Sequence, residues 1–208
     1  MDAGNQCSAG QEDPGRETGP SEAPVLGHGG SFIVSLSTVR QSMLSCFDTR
    51  THCVRFNKQA IAVMRTYIDA ILKGTIVDCR ELAPGSNVWT RETLRQVHQR
   101  RHDDGGRCYS PELATSFKVL IGRLVAVEEM ASRDAVFPID AYSLRRVRKF
   151  SGCDFASDFE EELQEMYRFL VFNLVWASYI ETRTARRVTI NASDVRDGCE
   201  RLLGGEAT

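Results

Sequence analysis

Two groups of basic residues, mostly arginine, stand where a predicted short helix and a predicted loop would display them. One group lies at 145–149 and the other at 186–187. The planar guanidinium of arginine offers paired donors that match the oxygens of a phosphate. These groups therefore suit contact with a phosphodiester backbone, although arginine-rich surfaces also occur on many proteins that bind no nucleic acid.

A metal site is a second candidate chemistry. His98 and His102 stand one helical turn apart and Cys108 follows them, and imidazole and thiolate groups are ligands of zinc. No fourth soft ligand stands nearby, and the intervening stretch carries Gly105 and Gly106. A solvated loop is therefore the favoured interpretation, and neither a metal nor another cofactor is expected.

An acidic run opens the second long predicted helix. Acids at a helix N-terminus are stabilised by the helix dipole, so a structural role is favoured, with a docking face for a protein partner or a catalytic carboxylate set as alternatives. The sequence shows no glycine-rich phosphate loop and no GxSxG, so no enzymatic activity is expected. The run consists of Asp158, Glu160, Glu161, Glu162 and Glu165.

Charge and cysteine content narrow the class of protein. The net charge is −2, yet residues 1–30 are acidic and poor in large apolar side chains, while residues 31–100 hold ten bases and five acids. Residues 1–30 are predicted to be a disordered tail. The seven cysteines include no CxxC pair, which argues against a disulfide framework and for a reducing compartment. No apolar run reaches the roughly 18 residues that a membrane span needs.

Helical periodicity begins near Phe32 and predicts the order short helix, loop, long helix, loop, short helix twice. No predicted strand is long enough to build a sheet, so the fold class is all-α. Ser157 with Glu160 three residues later predicts a capping box at the second long helix, and Asn191 is predicted to cap the last helix. The predicted helices cover 36–47, 57–82, 91–99, 110–132, 141–150 and 157–183, with a final short helix after Asn191.

The first half resembles core histone 2B. The resemblance rests on QAIAVMRTYIDAIL at 59–72, on WTRE at 89–92 followed by Gln96 and Val97, and on a further helix that starts at SPEL, 110–113. Residues 31–131 are accordingly expected to form a histone 2B-like histone fold with a C-terminal helix.

The second half, 132–208, also resembles a histone. FPI at 137–139 is similar to the start of the histone 2A core, whereas RVTI at 187–190 with Asp194 is more similar to histone 3. A 2B-like unit followed by a 2A-like unit is favoured, with a histone 3-like second unit as the alternative. Fused pairs of this kind resemble the histone doublets of large DNA viruses.

This resemblance implies two tandem histone folds that pair as an intramolecular dimer, with an extra helix between them. The implied function is packaging of double-stranded DNA into nucleosome-like particles with other core histones of the 3 and 4 types, and with a histone chaperone as a further partner. The alternative is a transcription or chromatin-assembly subunit that acts mainly through protein partners. The implied location is a nucleus or chromosome, or a virion and viral factory, and no membrane contact is expected.

The resemblance also implies where DNA would lie. Antiparallel units bring the first loop of each beside the second loop of the other, which would make one charged clamp, a weaker opposite clamp and a track along the short helix. Arg187 is also expected to reach into a minor groove. The implied DNA-binding residues are Arg55, Lys58, Ser86, Asn87, Arg145, Arg148, Lys149, Arg186, Arg187 and Thr189.

Large apolar side chains occupy more than half of the circumference of the second long helix. One face should pack on the first unit, and the remainder predicts a further protein interface. The side chains concerned are Phe159, Met166, Phe169, Phe172, Trp176 and Tyr179.

Overall fold

A computed structural model describes residues 31–47, 54–105, 109 and 133–204. Within these ranges the chain forms six α-helices, one 3₁₀ turn and four strands of two residues each. The predicted all-α class is therefore confirmed. The predicted tail at 1–30 and the predicted helix at 110–132 lie outside the described residues. No helix in the described part of the chain is both long and apolar enough to cross a membrane.

The first unit has the predicted short–long–short order. Ser35 caps the first helix by accepting a hydrogen bond from the backbone of Thr38 at 3.0 Å, and Asn57 caps the long helix by accepting one from Gln59 at 2.9 Å. Such side-chain acceptors satisfy N–H groups that have no partner inside the helix. The elements are α1 Leu36–Ser45, β1 Arg55–Phe56, α2 Lys58–Leu82, β2 Val88–Trp89 and α3 Arg91–Asp103.

The second unit repeats this order after the 3₁₀ turn Arg133–Ala135. Asp140 caps its first helix by accepting a hydrogen bond from the backbone of Ser143 at 2.6 Å. Gly152, with a φ of 69°, ends that helix in the left-handed conformation that glycine adopts without strain. The elements are α4 Ala141–Ser151, β3 Asp154–Phe155, α5 Ser157–Thr184, β4 Thr189–Ile190 and α6 Ala192–Gly204.

The two units are joined by two short parallel ladders. Strand β1 of the first unit pairs with β4 of the second, so that Arg55 lies opposite Thr189. Strand β2 of the first unit pairs with β3 of the second, so that Val88 lies opposite Asp154. Each ladder thus unites the first loop of one unit with the second loop of the other, and we call the two places the β1–β4 end and the β2–β3 end.

One hydrophobic core runs through both units. At the β2–β3 end, Trp89 is fully buried and stacks on Phe155 with ring centroids 5.9 Å apart. At the β1–β4 end, the ring of Phe47, two residues after α1, packs edge-on against Tyr179 of α5 with ring centroids 5.1 Å apart. These aromatic contacts cross from one unit to the other, so neither unit buries its apolar face without its partner.

Two predictions about α5 are wrong. The helix is capped by Ala156, which has no side-chain acceptor, and Ser157 is already its first helical residue. The proposed capping box is therefore not formed. The surplus apolar surface is also absent, because five of the six large side chains are buried within the chain and the sixth, Phe172, is partly buried against the core. The buried five are Phe159, Met166, Phe169, Trp176 and Tyr179.

A glycine explains part of this burial. Gly198 of α6 lies against the backbone of α5, where an added Cβ would stand 2.6 Å from the nitrogen of Ser178 and 2.7 Å from the carbonyl carbon of Ala177. Only a residue without a side chain permits this approach. The close packing of α6 covers a side of α5 that the sequence pattern alone would leave to another protein.

Candidate nucleic-acid interface

The β1–β4 end gathers basic residues from both units. Two backbone hydrogen bonds flank the ladder, from Arg55 to the carbonyl of Val188 at 3.2 Å and from Asn57 to that of Ile190 at 2.9 Å. Arg55 and Lys58 of the first unit are exposed here beside the loop that carries Arg186 and Arg187. Residues more than 120 positions apart in the chain therefore share one surface, as the clamp prediction required.

The turn after α5 has an unusual residue at its left-handed position. The amide of Arg187 donates to the carbonyl of Thr182 at 3.0 Å, and the amide of Arg186 donates to that of Arg183 at 2.9 Å. This is the Schellman pattern that closes many helices, in which the position of Arg186 is usually glycine. Arg186 has a φ of 54° and is exposed. Arg186 therefore adopts a backbone conformation that costs less energy for glycine. Its side chain is exposed to solvent.

Arg187 is held by an ion pair with Asp194. The Asp194 side chain is almost fully buried and also accepts a hydrogen bond from the backbone of Asn191 at 2.8 Å. The Arg187 side chain retains 38% of its exposure. The ion pair orients this guanidinium while offsetting part of its charge, so Arg55, Lys58 and Arg186 remain the more available cations. Entry of Arg187 into a minor groove stays a prediction.

The β2–β3 end has a different composition. The amide of Asp154 donates to the carbonyl of Asn87 at 2.9 Å, and the thiol of Cys153 donates to that of Ser86 at 3.4 Å. The hydroxyl of Ser86 donates to the carbonyl of Val88 at 2.7 Å. An open cavity of about 560 Å³ lies here, lined by Asn87, Arg148, Lys149, Gly152, Cys153 and Asp154.

The charges of the β2–β3 end largely cancel. Arg148 forms an ion pair with Glu160, and the exposed Asp154 shares the cavity with Lys149. Lys149 and Asn87 line the same cavity, as expected for the weaker predicted clamp. The hydroxyl of Ser86, however, already donates its hydrogen bond to the carbonyl of Val88. Two bases are thus matched by two acids, and this end offers a phosphate little net attraction.

The short helix α4 presents the remaining cations of the predicted track. Arg145 is exposed, whereas Arg146 lies over the ring of Tyr142, 5.7 Å from its centroid. Arg80 of α2 donates to the backbone carbonyls of Phe150 at 2.7 Å and Ser151 at 2.8 Å. A first-unit arginine therefore satisfies carbonyls at the C-terminus of this second-unit helix.

A polar junction that the sequence did not reveal joins the N-terminal ends of α1 and α4. The hydroxyl of Thr38 donates to the carboxylate of Asp140, and the amide of Ser35 donates to the hydroxyl of Ser143 at 3.0 Å. Partial burial alone would raise the pKa of Asp140, but hydrogen bonds from Thr38, Ser143 and Ser35 outweigh it and lower the pKa below its usual range. The only local signal was the cap pattern at Asp140, which does not name a partner about 100 residues away.

The acidic run contacts the first unit. Arg91 of α3 lies 3.0 Å from Glu161 and 3.3 Å from Glu162, and Arg95 lies 3.8 Å from Glu162. Glu165 contacts Arg168 at 2.7 Å and Arg133 at 3.8 Å. The structural interpretation is therefore confirmed for Glu161 and Glu162, which link α5 to α3, whereas Glu165 pairs within its own unit.

His98 and His102 both lie in α3 but have different surroundings. His98 is buried, and burial lowers its pKa to about 4, with a further contribution from Arg101. The His102 side chain is half exposed, and Cys108 lies outside the described residues. Within the described ranges no group of three or more His, Cys, Asp or Glu side chains is arranged to hold a metal ion.

Comparison with known proteins identifies the architecture. The solved structure of the histone from Methanopyrus kandleri matches with a TM-score of 0.53 at 10% sequence identity, over 83% of this chain and 97% of that one. A match of this extent must span both units, since neither makes up that share of the chain. The chain folds as a tandem histone fold. No protein-family model matches the sequence, and no curated protein matches it.

The tandem histone fold accounts for the two ladders. It pairs the units so that each end of the molecule combines two loops from different units, which is the arrangement seen at β1–β4 and β2–β3. The likeness concerns the fold, because 10% identity carries no information on individual functional residues.

Proposed function

We propose that this tandem histone fold binds the phosphate backbone of double-stranded DNA, and that the β1–β4 end is its principal contact. The observation that carries the proposal is the convergence of Arg55, Lys58, Arg186 and Arg187 from both units. Among the residues that the structure describes, the acid paired with this group is Asp194, which is buried against Arg187. Phosphate contacts of this kind fix position without reading sequence, so binding is expected to be insensitive to base sequence.

The proposed biological role is packaging of DNA into nucleosome-like particles together with histones of the 3 and 4 types. The fold supports it, and so does the 2B-like and 2A-like order of the units. A chaperone that delivers the protein belongs to the same proposal. The proposed location is a nucleus or chromosome, or a virion and viral factory, as for the histone doublets of large DNA viruses.

A second function rests on the charge balance. The net charge of −2 and the nearly neutral β2–β3 end favour a histone-fold subunit that assembles chromatin or transcription complexes through protein partners. Such a protein would contact DNA weakly, and changes at the β1–β4 end would not alter its principal activity.

Titration of fluorescent duplex DNA over a salt series separates the two functions. Wild-type protein should lose on the order of 10³-fold in affinity between 50 and 200 mM salt if about six phosphates are contacted. The combined change Arg55→Ala, Lys58→Ala and Arg186→Ala should lower affinity about 100-fold at low salt. The salt slope should fall by about one for each lost contact.

The control removes two exposed cations elsewhere, through Arg100→Ala and Arg201→Ala, and should change affinity less than threefold. Thermal unfolding of all variants verifies that they are folded. Wild-type protein that fails to bind DNA, or equal losses in the clamp variant and the control, would overturn the proposed DNA contact. Nuclease digestion after assembly with histones of the 3 and 4 types should leave a protected DNA ladder, and its absence would favour the second function.

A further inference from the structure

An ionic network crosses between the units at the β2–β3 end. Arg91 of the first unit contacts both Glu161 and Glu162 of the second, and Glu162 also contacts Arg95. The Glu162 side chain is only 16% exposed and lies between the two arginines. A mostly buried carboxylate shared by two guanidinium groups is less screened by solvent than an isolated surface pair.

The corresponding place at the other end of the molecule carries no such network. Counting from the first helical residue after each strand, Glu161 and Glu162 of α5 correspond to Ala62 and Val63 of α2. By the same count, Arg91 and Arg95 of α3 correspond to Ala192 and Arg196 of α6. Two acids and two bases at one end are therefore replaced by three neutral or apolar residues and one arginine at the other.

We propose that Arg91, Arg95, Glu161 and Glu162 form a pairing-specificity site, which selects the pair of first and second units over pairing of either unit with its own kind. In the native pair both arginines meet acids. If two first units paired, Arg91 and Arg95 would face Ala62 and Val63 at both ends. If two second units paired, the acids would face only Ala192 and Arg196.

Charge complementarity of this kind contributes more to the choice of partner than to affinity, because a mismatch leaves partly buried charges unpaired. Each unit taken alone would expose the apolar face that its partner covers in this chain. Apolar contact is not directional, so it discriminates less between partners than paired charges do. The network adds a favourable electrostatic contribution to the free energy of pairing, and only the pair of unlike units gains it. This contribution does not depend on DNA binding.

Charge reversal in the full chain tests the site. Arg91→Glu with Arg95→Glu places four acids together, and the added changes Glu161→Arg and Glu162→Arg restore opposite charges with their positions exchanged. Arg196→Glu is a single-reversal control at the corresponding position of α6, where Arg196 is exposed. Arg91→Gln with Arg95→Gln is a milder variant in case the reversal prevents folding.

Each protein is refolded at about 100 µM, its mass is measured by light scattering, and its Tm is measured at low and at high salt. The first reversal should lower the Tm by about 5 °C at low salt, by less at high salt, and should raise the fraction of two-chain species severalfold. The glutamine variant should change both quantities in the same direction by a smaller amount. The four-residue exchange should return both to near the wild-type values.

Three results would overturn the proposal. The first is a four-residue exchange that recovers neither the Tm nor the mass, since a merely structural role of the side chains would be lost in both variants. The second is an Arg196→Glu control that matches the effect of the first reversal. The third is a reversal that leaves the mass distribution unchanged. DNA affinity is not among these measurements, so failure here leaves the proposed function intact.

Discussion

The β1–β4 and β2–β3 ends are built by the same pairing of loops, yet they use charge in opposite ways. At the β1–β4 end the cations of the two units face outward and the acid that accompanies them, Asp194, is buried. At the β2–β3 end Arg148, Arg91 and Arg95 are all paired with acids of α5. The first end is suited to an external anion, and the second is suited to holding the units together.

The fusion of the units gives this difference a physical basis. In a dimer of identical chains the two ends are equivalent, so any charge that favours DNA at one end also appears at the other. A chain that contains both units can change each end separately. The approximate symmetry of the fold therefore coexists with two distinct surfaces.

The largest effect is expected from the aromatic core of the β2–β3 end. Trp89→Ala removes a fully buried ring that stacks on Phe155, and should lower the free energy of unfolding by about 3–5 kcal/mol. Val88→Ala, at the half-exposed neighbouring position, should change it by less than about 0.5 kcal/mol. Urea denaturation measures both, and equal effects would show that this end does not hold the units together.

Lowering the pH is expected to destabilise the protein through a residue of α3 and not through the corresponding residue of α6. His98 is buried with its pKa lowered to about 4, so between pH 6.5 and 4 the unfolded chain takes up a proton that the folded chain does not. Stability should therefore fall with decreasing pH through this window, by up to about 3 kcal/mol. Denaturation at pH 7 and pH 5 measures the fall.

The corresponding residue of α6 is Cys199, whose pKa is raised by burial, so it contributes nothing in that window. His98→Gln should remove most of the slope, and Cys199→Ser is the control that should retain it. A slope that is unchanged in His98→Gln would assign the acid sensitivity to other groups.

Substituting one lysine at each end compares how much the two ends contribute to DNA affinity. Lys58→Ala at the β1–β4 end should lower affinity for duplex DNA about fivefold and reduce the salt slope by about one. Lys149→Ala at the β2–β3 end should lower it less than twofold, because Asp154 and the paired Arg148 leave little net charge there. Fluorescence anisotropy at several salt concentrations distinguishes them, and equal losses would mean that both ends contact DNA.

The smallest effect is expected at Arg186, where one substitution should change folding stability and DNA affinity in opposite directions. Arg186→Gly relieves a left-handed arginine and should raise the free energy of unfolding by about 0.5 kcal/mol, the net of lost strain and greater chain entropy. The same change should weaken DNA binding about threefold. Arg183→Gly, in the helix, should instead lower stability by about 1 kcal/mol. A change at 186 that improves both properties would exclude Arg186 from the interface.

Much of the fold could be predicted because it depends on local spacing. Apolar residues three and four positions apart, with Asn57 and Asp140 at helix starts, are visible in any short window of the sequence, and they determine where helices form. The start of α5 was misplaced by one residue because Ser157 and Ala156 both allow a helix to begin, and the choice depends on the ladder that β3 forms with β2.

The sequence by itself determined that the chain is all-α, that its helices occur in the short–long–short order twice, and that arginines stand in its loops. Only the tertiary structure decided that Arg187 is paired with Asp194, that Arg91 meets Glu161 some seventy residues away, and that Trp176 is covered inside the chain. The reason is physical: charge and apolar character are properties of single residues, whereas their availability depends on which distant surface lies against them. At Gly198 the absence of a side chain brings α6 onto α5, and that closeness was not readable from the residue type alone.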